Sequence, residues 1–192
     1  IVLCLVGSEM CIRDRCWFSL LYFGHDEKKI HILNGGLKKW IFENKPITKL
    51  TTEITKSNYV ANEKENLVVS FDQIKKNILS KSFNVIDARS LERFEGKVSE
   101  PRKGLRSGHI QNSFCLPFNQ CINQKTGEFK NLEELRELFN QNENIEKRLD
   151  QVFTCGSGVT AAVLAYAYKM VNNDYIPKIY DGSWSEYGKY PA

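Results

Sequence analysis

Gln151-Val152-Phe153-Thr154-Cys155-Gly156-Ser157-Gly158-Val159-Thr160, running on into Ala161-Ala162-Val163-Leu164-Ala165-Tyr166, is the stretch whose reading decides the fold. Val152, Phe153 and Thr154 are β-branched or aromatic, as a buried strand requires. Beyond the glycines, Val159, Val163, Tyr166 and Met170 fall at helical spacing. A strand that passes through a cysteine and two spaced glycines into a helix predicts a tight loop at the carboxyl end of a strand. Gly156 and Gly158 permit positive φ, which would turn successive N–H groups inward as an anion-binding nest. The helix N-terminus adds its partial positive charge and its unpaired donors. Such a loop stabilises negative charge on the Cys155 sulfur, and the thiolate is the nucleophilic form of cysteine.

Outward from this loop, the pattern alternates strand and helix. Val68-Val69, Phe83 to Asp87, Ser113 to Leu116, Val152 to Thr154 and Lys178 to Tyr180 read as strands. Ser70 with Gln73 forms a capping box for a helix carrying Phe71, Ile74 and Ile78, and Asn131 caps one carrying Leu132, Leu135, Leu138 and Phe139. This order predicts an α/β fold with a central parallel sheet and helices on both faces. Ligands of such sheets bind at the carboxyl ends of the strands, where Cys155, Arg89 and a long loop over 90–112 would converge. Ahead of this unit, Cys16 to Gly24 predicts an aromatic-rich helix, Ile30 to Leu33 a strand, and Leu37 to Glu43 a short helix. The polar stretch after that helix reads as a linker.

Composition narrows the function classes. A chain of 192 residues with net charge +4 and scattered lysines does not read as a nucleic-acid binder. The apolar run in its first six residues is too short to span a bilayer, so no membrane partner is expected. The six cysteines form no C-x-x-C pair and no zinc spacing with histidine, which predicts no metal, no disulfide framework and a reduced, cytoplasmic setting. The first fifteen residues share no strand or helix period with the chain from Cys16 onward, and resemble translated sequencing-adapter read-through. They are expected to be non-native.

Several separated motifs carry a family resemblance: Asp87-Ala88-Arg89, Arg93-Phe94-Glu95-Gly96, Glu100-Pro101-Arg102, Gly108-His109-Ile110, the Cys155 loop, and Tyr180-Asp181-Gly182-Ser183-Trp184. In that order they resemble the catalytic domain of tandem rhodanese-type sulfurtransferases, and most closely the 3-mercaptopyruvate sulfurtransferases. The resemblance implies a rhodanese-like fold and divides the chain into an adapter-like segment (1–15), the tail of an inactive N-terminal rhodanese domain (16–44), a linker (45–66) and a catalytic domain (67–192). The tail ends in Gly35-Gly36-Leu37-Lys38-Lys39-Trp40. Having lost most of its sheet, it is expected to expose Trp17, Phe18, Leu20, Leu21 and Trp40, with poor solubility.

The resemblance further implies that Cys155 takes sulfur from a small-molecule donor as a persulfide and passes it to a thiol, reduced thioredoxin or cyanide, without a cofactor. Arg93 and Arg102 match the two arginines that hold the donor's carboxylate and carbonyl. The N–H groups of Gly156, Gly158, Val159 and Thr160 would line the sulfur site. Ser157 matches a proton-relay serine, or is a small residue suited to a tight turn; the relay's His and Asp partners have no match in this chain. His109 matches a structural turn, and Trp184 lies either near the site entrance or in the core. Thiosulfate sulfurtransferase is the nearest alternative, although those relatives carry basic side chains after the cysteine, where this chain has Gly156 and Ser157. A non-catalytic rhodanese-like module would usually have lost the cysteine. A related cell-cycle phosphatase would need arginine at position 161, which is alanine.

Overall fold

A computed structural model describes residues 2–3, 10–51, 53, 55–56, 58–141 and 145–191 of the chain. Its centre is a five-stranded, all-parallel sheet built from β3 (Val68–Val69), β4 (Phe83–Asp87), β5 (Ser113–Cys115), β6 (Asp150–Thr154) and β7 (Ile179–Tyr180). The spatial order is β3-β7-β6-β4-β5, so β6, the strand that leads to Cys155, lies in the middle. β6 pairs with β4 over five residues, from Phe83 opposite Asp150 to Asp87 opposite Thr154. That register sets Asp87 and Thr154 side by side at the same edge of the sheet.

Period-two alternation assigns the strand residues to two cores. Ile86, Phe153 and Ile179 face α1 (Met10–Tyr22), α5 (Leu132–Asn140) and α6 (Ala161–Val171), joining Trp17, Leu135 and Leu164. Val69, Val85, Val152 and Tyr180 face the other way, onto Ile74 of α3 (Phe71–Ser80) and Trp184 of α7 (Ser183–Tyr187). Helices therefore cover both faces, as the strand–helix alternation predicts. The capping boxes at Ser70/Gln73 and Asn131/Glu134 are both formed. The stretch over 90–112 is less irregular than expected, since Leu91–Phe94 closes one helical turn, α4.

The N-terminal part departs from expectation in two respects. First, α1 begins at Met10 rather than Cys16 and carries Arg13 and Asp14 into the interior. Positions 1 and 4–9 of the adapter-like segment lie outside the described residues, as do 52, 54 and 57 of the linker. Val2–Leu3 (β1) pairs in parallel with His31–Ile32 (β2). Second, the expected apolar exposure is wrong for most of the named side chains. Trp17, Phe18 and Leu21 are buried, and Leu20 and Trp40 are half-buried. The reason is that α1 packs on α6, where Trp17 meets Tyr166 edge-on at 5.0 Å between ring centroids. Each such side chain taken out of water contributes about 1.5–3 kcal/mol, enough to hold the helix down without a sheet of its own. Exposed apolar side chains occur further along: Ile41 and Phe42 at the end of α2 (Gly36–Phe42), then Ile47 and Leu50. Residues 45–64 contain no helix or strand among the described positions. No helix of the described residues is long and apolar enough to cross a membrane.

Candidate functional site

The Cys155 loop sits at the carboxyl end of the central strand and is held from below by one hydroxyl. Ser183 Oγ accepts hydrogen bonds from Cys155 N (3.2 Å) and Gly158 N (2.9 Å), and donates to the Tyr180 carbonyl (2.9 Å). Trp184 N and Ser185 N donate to the carbonyls of Cys155 and Gly156, both at 2.9 Å. The start of α7 thus fixes the loop's far side. Cys155 is only 2% exposed, and Ser157 N donates to its sulfur at 3.4 Å.

The nest is narrower than the sequence suggests. Gly158 has φ +75°, but Gly156 does not lie in the left-handed region. The Gly158 N–H points at Ser183 rather than at the sulfur. Among the described residues, Gly156, Val159 and Thr160 have no protein acceptor for their N–H groups, so these remain available to an anion beside Cys155. Gly158 is required for space as well as for φ. A Cβ there would lie 2.5 Å from Asp181 Oδ1 and 3.1 Å from Arg15 Nη1. Arg15, from the segment read as adapter-like, also donates to the Gly158 carbonyl at 3.3 Å and pairs with Asp181.

Arg93 and Arg102 converge on the same loop. The point where a Gly156 Cβ would stand is 3.0 Å from Arg93 Nη2 and 3.7 Å from Arg102 Nη1. Glycine at 156 is therefore what lets two guanidiniums close over the residue next to Cys155. Arg102 is exposed and makes no ion pair among the described residues. Arg93 is held by Glu100, with Nε to Oε1 at 3.2 Å and Nη2 to Oε2 at 2.6 Å. Glu100 also receives Arg89 Nη1 at 2.8 Å, and Arg89 clasps Asp87 through Nε and Nη2. Burial alone would raise the Glu100 carboxyl, yet the Arg93 and Arg89 guanidiniums bring it below the usual carboxylate range.

Two further thiols lie near the core, those of Cys115 and Cys121. Burial, reinforced for Cys115 by the Asp87 charge, pushes Cys115 up to about 12, and burial does the same to Cys121. Both stay thiols at neutral pH. Ser157 Oγ has no imidazole or carboxylate partner among the described residues, so no relay is assembled on it. His109 stacks on Phe94 at 4.0 Å between centroids and sets Nδ1 at 2.8 Å from the Phe94 carbonyl, a scaffold position away from the sulfur. Trp184 belongs to the core rather than to the site mouth. It is 1% exposed, lies between the Arg89 and Arg106 guanidiniums, and donates Nε1 to the Arg106 carbonyl. Glu100 and Ser183 lie inside the quoted motifs, but sequence reasoning alone does not single them out. The one available signal for Glu100 is its place as an acid between two site arginines.

Comparison with known proteins matches this geometry. Residues 70–190 match the model of the rhodanese-like domain. The chain is 35% identical to human 3-mercaptopyruvate sulfurtransferase over 173 residues, which is 90% of this chain and 57% of that protein. It is 34% identical to chicken thiosulfate sulfurtransferase with the same coverage. The chain thus spans little more than half the length of these relatives. Among solved structures, SseA of Escherichia coli, described as a 3-mercaptopyruvate sulfotransferase, superposes with a TM-score of 0.75 at 30% identity, covering 91% of this chain and 63% of that one. A parallel sheet with the Cys155 loop after its central strand, a family match over residues 70–190, and relatives of one kind lead to one assignment: the chain belongs to the rhodanese family.

Proposed function

We propose that the chain is a sulfurtransferase that takes sulfur from 3-mercaptopyruvate onto Cys155 and delivers it to a thiol or to cyanide. The catalytic unit is residues 67–192. The Cys155 thiolate attacks the donor's sulfur, a new S–S bond forms, and the donor's C–S bond breaks. Its electron pair passes to the carbon, giving the enolate of pyruvate, which takes up a proton and leaves as pyruvate. The persulfide anion stays over the loop, where the open N–H groups of Gly156, Val159 and Thr160 offset its charge. An acceptor thiolate then attacks the outer sulfur and regenerates Cys155, which splits one transfer into two covalent steps. Reduced thioredoxin is an acceptor of suitable chemistry. Cys16, Cys115, Cys121 and Cys155 are free, which fits a reducing compartment such as the cytoplasm.

The observation that carries the donor assignment is the convergence of Arg93 and Arg102 over Gly156. Glu100 occupies the Nε/Nη2 edge of Arg93, which leaves its terminal Nη1/Nη2 edge for a planar carboxylate. Asp87, Arg89, Glu100 and Arg93 supply two negative and two positive charges, so within the cluster that these four form with Arg102, Arg102 brings the one positive charge left over. One net positive charge balances a monoanion such as mercaptopyruvate, whereas the thiosulfate dianion keeps one charge unbalanced and costs more to strip of water. Steady-state comparison of the two donors with a common acceptor tests this. Higher kcat/KM with mercaptopyruvate is expected, and a tenfold preference for thiosulfate would reverse the assignment.

A further inference from the structure

We infer that Glu100 is a specificity-determining residue, one that acts through Arg93 to keep the donor site selective for monoanions. The inference deepens the donor reading and rests on Arg93 and Arg102 binding the donor. Glu100 is out of contact with solvent, its side chain 1% exposed, and cannot itself touch the donor. Its two oxygens are spent on guanidiniums: Oε1 on Arg89 and Arg93, Oε2 on Arg93. Of these two arginines it is Arg93 that also faces the loop, its side chain a quarter exposed and its Nη2 beside Gly156.

This contact shapes the site in two ways. The bidentate grip fixes the guanidinium plane, so Arg93 presents one edge to the donor instead of sweeping through rotamers. The carboxylate charge also cancels most of the Arg93 field at the sulfur, and Arg89 is already neutralised by Asp87. Without the Glu100 charge the same cluster would carry two net positive charges once Arg102 is counted. An added unit charge attracts a monoanion once and a dianion twice, so it favours thiosulfate over mercaptopyruvate.

The experiment is the ratio of kcat/KM for thiosulfate to that for mercaptopyruvate, measured in the full chain and in Glu100→Gln. Glutamine keeps the shape and removes the charge. The ratio is expected to rise by about tenfold or more in the variant. A merely structural role for Glu100 would lower both values together, so a ratio within threefold of the parent, with both donors impaired, overturns the inference. Glu100→Asp keeps the charge and serves where the glutamine variant does not fold. Its ratio is expected to stay within threefold of the parent, and a tenfold shift toward thiosulfate there also overturns the inference. The parent's own preference tests the donor reading separately, so the two can fail independently.

Discussion

The Cys155 sulfur lies between a fixed floor and an exposed charge. The floor is Ser183, whose hydroxyl holds the N–H groups of Cys155 and Gly158. Ser183→Ala would take the buried partner from the Cys155 and Gly158 N–H groups and from the Thr154 hydroxyl, at about 1–3 kcal/mol for each donor left unpaired. Urea unfolding is expected to show a loss of about 2–4 kcal/mol, and a change below about 0.5 kcal/mol would mean the loop does not depend on that hydroxyl. The charges above the sulfur are separable by their partners. Arg102→Ala should raise KM for mercaptopyruvate about tenfold or more while leaving the melting temperature unchanged, since Arg102 is exposed and unpaired. Arg93→Ala should raise KM similarly and also lower the melting temperature, because it strips one partner from buried Glu100. Equal thermal effects in the two variants would contradict the geometry. That Arg93 and Arg102 would meet the Cys155 loop was legible because each stands in a distinctive local motif. Ser183 and Glu100 were not, because their roles depend on which backbone and which guanidinium the fold brings to them.

Among the elements, β6, the loop and α6 were readable from period and glycine spacing; the Ser70/Gln73 capping box formed as written, and the Asn131 cap proved to be a box with Glu134. The exception is α1. Its helical stretch starts at Met10, ahead of the Cys16 start that the pattern suggests, and the added residues place Arg13 and Asp14 in the interior. Local periodicity could not reveal this, since the burial is decided by contact with α6. The placement is poorly satisfied. Arg13 Nη2 and Asp14 Oδ2 are buried without hydrogen-bond partners. Burial outweighs the Arg13 charge and lifts the Asp14 carboxyl to about 6. A folded pKa above the unfolded value means that ionised Asp14 opposes folding above pH about 6, and the opposition fades as pH falls toward about 4. Asp14→Asn is therefore expected to stabilise the chain at pH 7 by about 2 kcal/mol, with the gain shrinking below pH 6. Thermal melts at about pH 7 and pH 4.5 check it, and an equal or negative effect at pH 7 would show that the buried carboxylate is well accommodated. Glu100 has the opposite sign. Its lowered carboxyl contributes stability above the ordinary carboxylate range, lost only as pH falls through its folded value.

For the molecule as a whole, alternation along five short strands builds two cores and leaves one edge of the sheet for chemistry. That architecture could be read from strand–helix order alone, whereas the cover that α1 gives to α6 could not. The proposed donor, a small monoanion, rests on the distribution of charge at the carboxyl end of that sheet. The central claim is that Cys155 carries the transferred sulfur. Mass spectrometry of the intact chain and of its Cys155 peptide after exposure to mercaptopyruvate tests it directly, with released pyruvate assayed in parallel. One sulfur atom added at Cys155, matched by an equivalent of pyruvate and absent in Cys155→Ser, is the expected result. Pyruvate release without added sulfur at Cys155, or sulfur found instead on Cys115 or Cys121, would contradict it.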